Sequence, residues 1–185
     1  MKARITFAAL MLLLSGAALS QSFVEINDRL RGVSFYSIAL SDDSLTALQK
    51  KGSAFSEADR MTLGFSALLF DEAEDVEEYV LWIRHNGNDP WFTPNMGADV
   101  SISVDQELLQ PRPGDPVQLH APLVEQLELR LSPSDMKTLL EGDLVSINVQ
   151  TLLGVIEKPL SKEELNKIEQ LVQRVRIAAA TQLPG

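Results

Sequence analysis

Apolar and polar residues alternate with a period of two in three separate stretches of this chain. Val100, Ile102 and Val104 alternate with Asp99, Ser101 and Ser103; Leu127, Leu129 and Leu131 with Gln126, Glu128 and Arg130; Val145, Ile147 and Val149 with Ser146, Asn148 and Gln150. Successive side chains of an extended backbone point to opposite faces, so each stretch predicts a strand with one apolar and one wet face. Antiparallel sheet packed on one side reads this way, whereas buried parallel strands read as unbroken apolar runs. Less regular strands are expected at 33–40, 61–70, 76–85 and 117–120. The pattern predicts an α+β fold of about seven strands, mainly antiparallel and sandwich-like or curled, with helices packed on it.

The helical signals are more local. Ser161 can cap a helix while Glu164 reaches back to it, a capping box, and Leu160 can close over Leu165 as a hydrophobic staple. Leu165, Ile168, Val172, Val175 and Ala179 then follow at alternating spacings of three and four, which puts them on one stripe of a helix running to about Ala180. That amphipathic helix is expected to lie on the sheet. Two shorter capped helices are predicted: one from Ser132, with Pro133 at its first position, to Gly142, and one from Ser41 to Gly52. The QPRPGDP run at 110–116 cannot hold regular structure and is expected to cross between sheets or layers.

The amino end carries a different pattern. Lys2 and Arg4 precede an apolar run from Ile5 to Leu14, followed by the small residues of 15–22. This is the order of a secretory signal peptide, and Ala18 and Ser20 place the cut before Gln21. About ten apolar residues are too few for the roughly 20 that span hydrocarbon. Residues 1–20 are therefore expected to be removed, leaving 21–185 as one β-rich domain that works outside the cytoplasm, periplasmic or secreted, without a membrane anchor. The chain contains no cysteine. Thiol nucleophiles, redox pairs, thiolate metal sites, disulfides and lipid-anchored cysteine are thereby excluded.

The formal charge is -10, and loss of Lys2 and Arg4 leaves 14 basic against 26 acidic residues, or -12. Such a surface repels phosphate backbones and anionic lipid, so nucleic acid is not expected as a partner. No glycine-rich phosphate loop occurs, and no cofactor is expected.

The stretch richest in candidate chemistry is 82–92, W-I-R-H-N-G-N-D-P-W-F. Aromatic rings offer flat apolar area while amides and a carboxylate fix orientation, so Trp82, His85, Asn88, Asp89 and Trp91 are the candidate ligand-binding residues. The simpler expectation is a hairpin turning at Asn86-Gly87, with Trp82 in the core and Trp91 and Phe92 opening the next strand. The acidic run at 71–78 reads as a solvated loop and lacks the spaced ligands of a calcium loop. His85 and His120 carry no metal motif between them, and no metal ligand set is expected. Ser134 and Lys137 have S-x-x-K spacing without its companion motifs, and Ser66 lacks the second glycine of a nucleophile elbow.

The expected function is that of an exported, non-catalytic envelope protein that binds an unidentified protein or small ligand. A small hydrolase using His85 with an acidic partner is the alternative, and a calcium-steadied surface module the third. The pattern sets no oligomeric state.

Overall fold

In the computed structural model, the described residues are 23–28, 30, 32–44, 60–70, 76, 78–87, 100–109, 111–113, 117–120, 123–151 and 154–182. They form eleven strands and two helices. The strands are β1 (Phe23–Asp28), β2 (Val33–Ser44), β3 (Arg60–Phe70), β4 (Tyr79–Asn86), β5 (Val100–Val104), β6 (Glu107–Leu109), β7 (Arg112–Pro113), β8 (Val117–His120), β9 (Leu123–Leu131), β10 (Val145–Thr151) and β11 (Gly154–Pro159). The helices are α1 (Pro133–Glu141) and α2 (Lys162–Gln182). A seven-stranded sheet has the order β1-β2-β3-β4-β9, with β7 and β8 sharing the outer edge of β9, and a four-stranded sheet has the order β11-β10-β5-β6. Every pairing is antiparallel.

The α+β class and the antiparallel sheet match the period-two pattern; the strand count is higher than seven. The additional strands, β1, β6, β7 and β11, are short and lie at sheet edges, too short to show a sustained alternation. The three alternating stretches fall on β5, β9 and β10, with Ile102, Leu127, Leu129, Ile147 and Val149 almost fully enclosed. A single apolar cluster takes Leu63, Phe65, Leu81 and Ile83 from the large sheet, Ile102 and Ile147 from the small one, Met136 and Leu139 from α1, and Ile168, Leu171 and Val175 from α2. Helix α2 lies against β2 and β3.

Both surviving helix starts are capped as their sequences predict. The Ser132 Oγ accepts from the Asp135 amide at 3.1 Å while Asp135 Oδ2 accepts from the Ser132 amide at 2.8 Å. At α2 the Glu164 amide donates to Ser161 Oγ at 3.2 Å, and the Ser161 amide donates to Glu164 Oε2 at 2.7 Å. The run 110–116 does cross from the small sheet to the large one, yet Arg112 and Pro113 pair with β9 on the way. Proline is tolerated there because an edge residue needs no ladder donor on its open side.

The helix expected to start at Ser41 does not. Strand β2 continues through a bulge between Ala39 and Ser41 and stays paired with β3 as far as Ser44 opposite Arg60. Tertiary pairing overrides the local cap signal; residues 45–52 lie outside the described ones. So do residues 1–20.

Two close approaches fix how the layers join. Asp105 and Gln106, with φ of 49° and 77°, make the two-residue turn of the β5–β6 hairpin. Such a turn needs positive φ at both central residues. The Asp105 carboxylate then accepts from the amides of Asp143 and Leu144 at 3.2 and 2.8 Å, and its own amide donates to the Leu144 carbonyl at 2.9 Å. This clasp seats the end of α1 against the hairpin, where a Cβ on Gly142 would overlap Val104.

Candidate functional site

Strand β4 carries the described part of the candidate cluster, and the alternation of a strand decides what it can assemble. Tyr79, Leu81, Ile83 and His85 face the main core, while Trp82 and Arg84 face the other side of the sheet. Trp82 and His85 are three residues apart, so they stand on opposite faces and line no common concavity. Asn88, Asp89 and Trp91 lie outside the described residues, as does most of the acidic run. The hairpin expected after Asn86 is not formed with β4. Both of that strand's edges are occupied, by β3 and by β9, from Tyr79 to Asn86 on the latter side. An Asn-Gly pair reports local turn preference and carries no information on which strands lie alongside.

On the core face, His85 stands directly across from Glu125 of β9. Its Nδ1 is 3.2 Å from Glu125 Oε2, and neither side chain has exposed surface. Alternation in β9 explains the placement. Glu125 falls in step with Leu127, Leu129 and Leu131, so it shares their inward face although it is charged. A buried carboxylate needs hydrogen-bonding partners, and the histidine provides one. A histidine oriented by a carboxylate can take or give a proton, provided a substrate reaches its other nitrogen. In this structure the pair is enclosed. The sequence signal for Glu125 was present in hindsight only as a carboxylate two residues before an alternating run.

On the opposite face, the indole of Trp82 overlies Gly64, its register partner on β3. Trp82 Nε1 donates to Ser37 Oγ at 3.3 Å, and Ser66 Oγ donates to the same oxygen at 2.8 Å. Small residues on β2 and β3 thus make a shelf for the ring, and Phe35 packs beside it. The Arg84 guanidinium sits 5.6 Å from the Trp82 ring centroid and donates twice to Gln126 Oε1, at 3.0 and 3.3 Å. Gln126 passes the interaction on, donating to Glu128 Oε1 at 2.9 Å. Burial pushes the Arg84 guanidinium below its ordinary pKa. Ser66 is fully buried within β3, so it is no nucleophile elbow but part of this shelf.

The Ser134 and Lys137 motif does not assemble. Ser134 Oγ lies 2.7 Å from Ser132 Oγ, and Lys137 pairs with Glu141 at 3.8 Å along exposed α1. Among the described residues, no three His, Asp or Glu side chains could hold a metal ion. No described helix is long and apolar enough to cross a membrane.

An open groove among the described residues lies elsewhere. A groove of about 390 Å³ runs between α1 and α2, with Tyr79, Met136, Leu140 and Val172 in its floor. Lys137, Glu141, Glu169 and Arg176 stand around it, both signs of charge together. No family model matches this chain, and no curated protein matches it.

Proposed function

We propose that the protein is an exported envelope protein that acts by binding, and that chemistry on a substrate is not its role. One observation carries this reading: among the described residues, the enclosed titratable pair and the groove between α1 and α2 are in different places. His85 and Glu125 have no exposed surface. The groove between α1 and α2 has an apolar floor and a mixed-charge rim, the make-up of a recognition surface, and neither histidine nor serine is among its described lining residues. The leader-like pattern of residues 1–20 supports export, and the acidic composition favours solubility.

Cell fractionation with intact-mass measurement is expected to find the chain outside the cytoplasm and shortened by about 20 residues. Full-length chain confined to the cytoplasm overturns the export reading.

A hydrolase using His85 with Glu125 has the 3.2 Å contact in its favour and the enclosure against it. Turnover of a generic ester or peptide substrate that vanishes in His85→Gln, with the fold retained, would establish it instead.

A further inference from the structure

We propose that Arg84 and Arg60, with Asn86 beside them, form a site for a short dicarboxylate on the face of the large sheet that is turned away from the core. The site is separate from the groove between α1 and α2, so it stands or falls independently of the binding reading above.

The pairing of β3, β4 and β9 lays this face out as a grid. Gly64, Trp82 and Glu128 share one row, Thr62, Arg84 and Gln126 the next, and Arg60 and Asn86 the one after. Alternate residues of a strand share a face, so all of these stand with the Trp82 indole and not with the core. Arg60 is diagonal to Arg84, a separation of about 7–8 Å that long side chains can bridge. Asn86 is opposite Arg60 and on the same face of β4 as Arg84. Arg60 is exposed, and Arg84 and Asn86 are half-buried, so all three keep surface that a small solute can touch.

Arg84 is held in place without being neutralised. Its Nε and Nη2 both donate to Gln126 Oε1, which occupies the side edge of the guanidinium, and its Cζ lies 5.6 Å from the Trp82 ring centroid. The end edge, formed by Nη1 and the second hydrogen of Nη2, makes no hydrogen bond among the described residues. Two parallel N–H groups on such an edge match the two oxygens of a carboxylate.

The charges define what is missing from this face. A partly buried cation is costly unless it is paired, yet neither arginine forms an ion pair among the described residues. Glu128, diagonal to Arg84 on the other side, is engaged by Gln126 instead. Asp42 lies in the row of Arg84 but two strands away, with Thr62 between. Burial lowers the Arg84 pKa, and no carboxylate raises it back. Two neighbouring cations also repel one another, which is a curious use of arginine in a chain with 26 acidic and 16 basic residues. A ligand with two negative charges removes both costs and a neutral one removes neither. In a dicarboxylate, one carboxylate takes the end edge of Arg84, the other meets Arg60, and the Asn86 amide can donate to either. The net negative charge of the chain opposes this only weakly, being screened beyond about 8 Å at physiological ionic strength.

Succinate is the probe. Titrated into the purified protein at physiological ionic strength, it is expected to bind one to one with a dissociation constant on the order of 1 mM or below, and to raise Tm as it saturates the site. Arg84→Lys keeps the charge and loses the fork; Arg60→Gln alters only an exposed side chain. Each is expected to weaken binding at least tenfold by calorimetry with unchanged circular dichroism, while Lys167→Gln on α2 leaves the affinity as it was. Succinamide, which has the same shape without the charges, is expected not to bind. Absence of binding at about 10 mM succinate overturns the proposal. So does an affinity indifferent to both arginine substitutions, equal binding of succinamide, or inorganic phosphate binding at least as tightly as succinate, which would mark a general anion site.

Discussion

The Trp82 indole lies over Gly64 so closely that no side chain fits between them: a Cβ at Gly64 would overlap the ring and also the Ile38 carbonyl oxygen. The carbonyl belongs to backbone that is locked in the β2–β3 ladder, so it cannot move aside. Gly64→Ala is expected to lower stability by about 1–3 kcal/mol through overpacking. Trp82→Phe in the Gly64→Ala background keeps the backbone clash and relieves only the ring, so recovery is partial. Denaturant melts of the wild type and the two variants give the comparison; a neutral Gly64→Ala refutes the packing account.

The His85–Glu125 contact gives a prediction of a different kind. Removing either partner strips a fully buried polar group of its counterpart. His85→Leu and Glu125→Leu are each expected to cost about 3–5 kcal/mol. The double substitution is expected to cost less than the two single ones together, because each single one leaves a buried polar group facing an apolar side chain and the double one does not. A double-mutant cycle by urea denaturation measures this. Strict additivity would show that the two groups do not act on each other.

The alternation was a sound guide wherever one face of a strand meets the core, as in β5, β9 and β10, and the capping signals at Ser132 and Ser161 were sound because a cap is satisfied within a few residues. Failures came where the decisive neighbour is distant in sequence. Ser41 looks like a helix cap, yet β3 holds the chain in β2 for three more residues. Asn86-Gly87 looks like a hairpin turn, yet β9, forty residues on, occupies the edge that the hairpin partner would need. Glu125 and His85 were unpairable by inspection for the same reason: their contact is a matter of register between β4 and β9. Trp82 and His85 seemed one cluster because they are close in sequence, but a strand sends residues three apart to opposite faces.

Glu164 links the cap of α2 to β11. Its Oε2 accepts from the Ser161 amide and hydroxyl, and its Oε1 meets Lys158 Nζ at 3.0 Å. Burial pushes this carboxyl up, but the Ser161 hydrogen bonds and the Lys158 charge pull it down further, leaving it below the ordinary range. A carboxyl with a lowered folded-state pKa stabilises the fold above its unfolded value of about 4.3, and that contribution is lost as pH falls through the folded value. Glu164→Gln is therefore expected to be less stable than wild type at pH 7, with the difference shrinking below about pH 4. Thermal melts from pH 7 to pH 2 test the sign; a difference that grows in acid contradicts it.

Gln106 holds the left-handed conformation, φ 77°, at an exposed turn where its side chain has no hydrogen bond among the described residues. A non-glycine residue there carries a conformational cost of about 1 kcal/mol or more, which glycine avoids, although glycine gives back a part through the greater freedom of the unfolded chain. Gln106→Gly is expected to stabilise the protein by about 0.5–1 kcal/mol, a rise of a few degrees in Tm. Asp105 has the same kind of φ, 49°, but its carboxylate clasps Asp143 and Leu144. Asp105→Gly removes the clasp along with the strain and is expected to destabilise. The two neighbouring substitutions should therefore move Tm in opposite directions, and a shared direction would mean that the carboxylate contacts contribute less than the backbone strain they accompany.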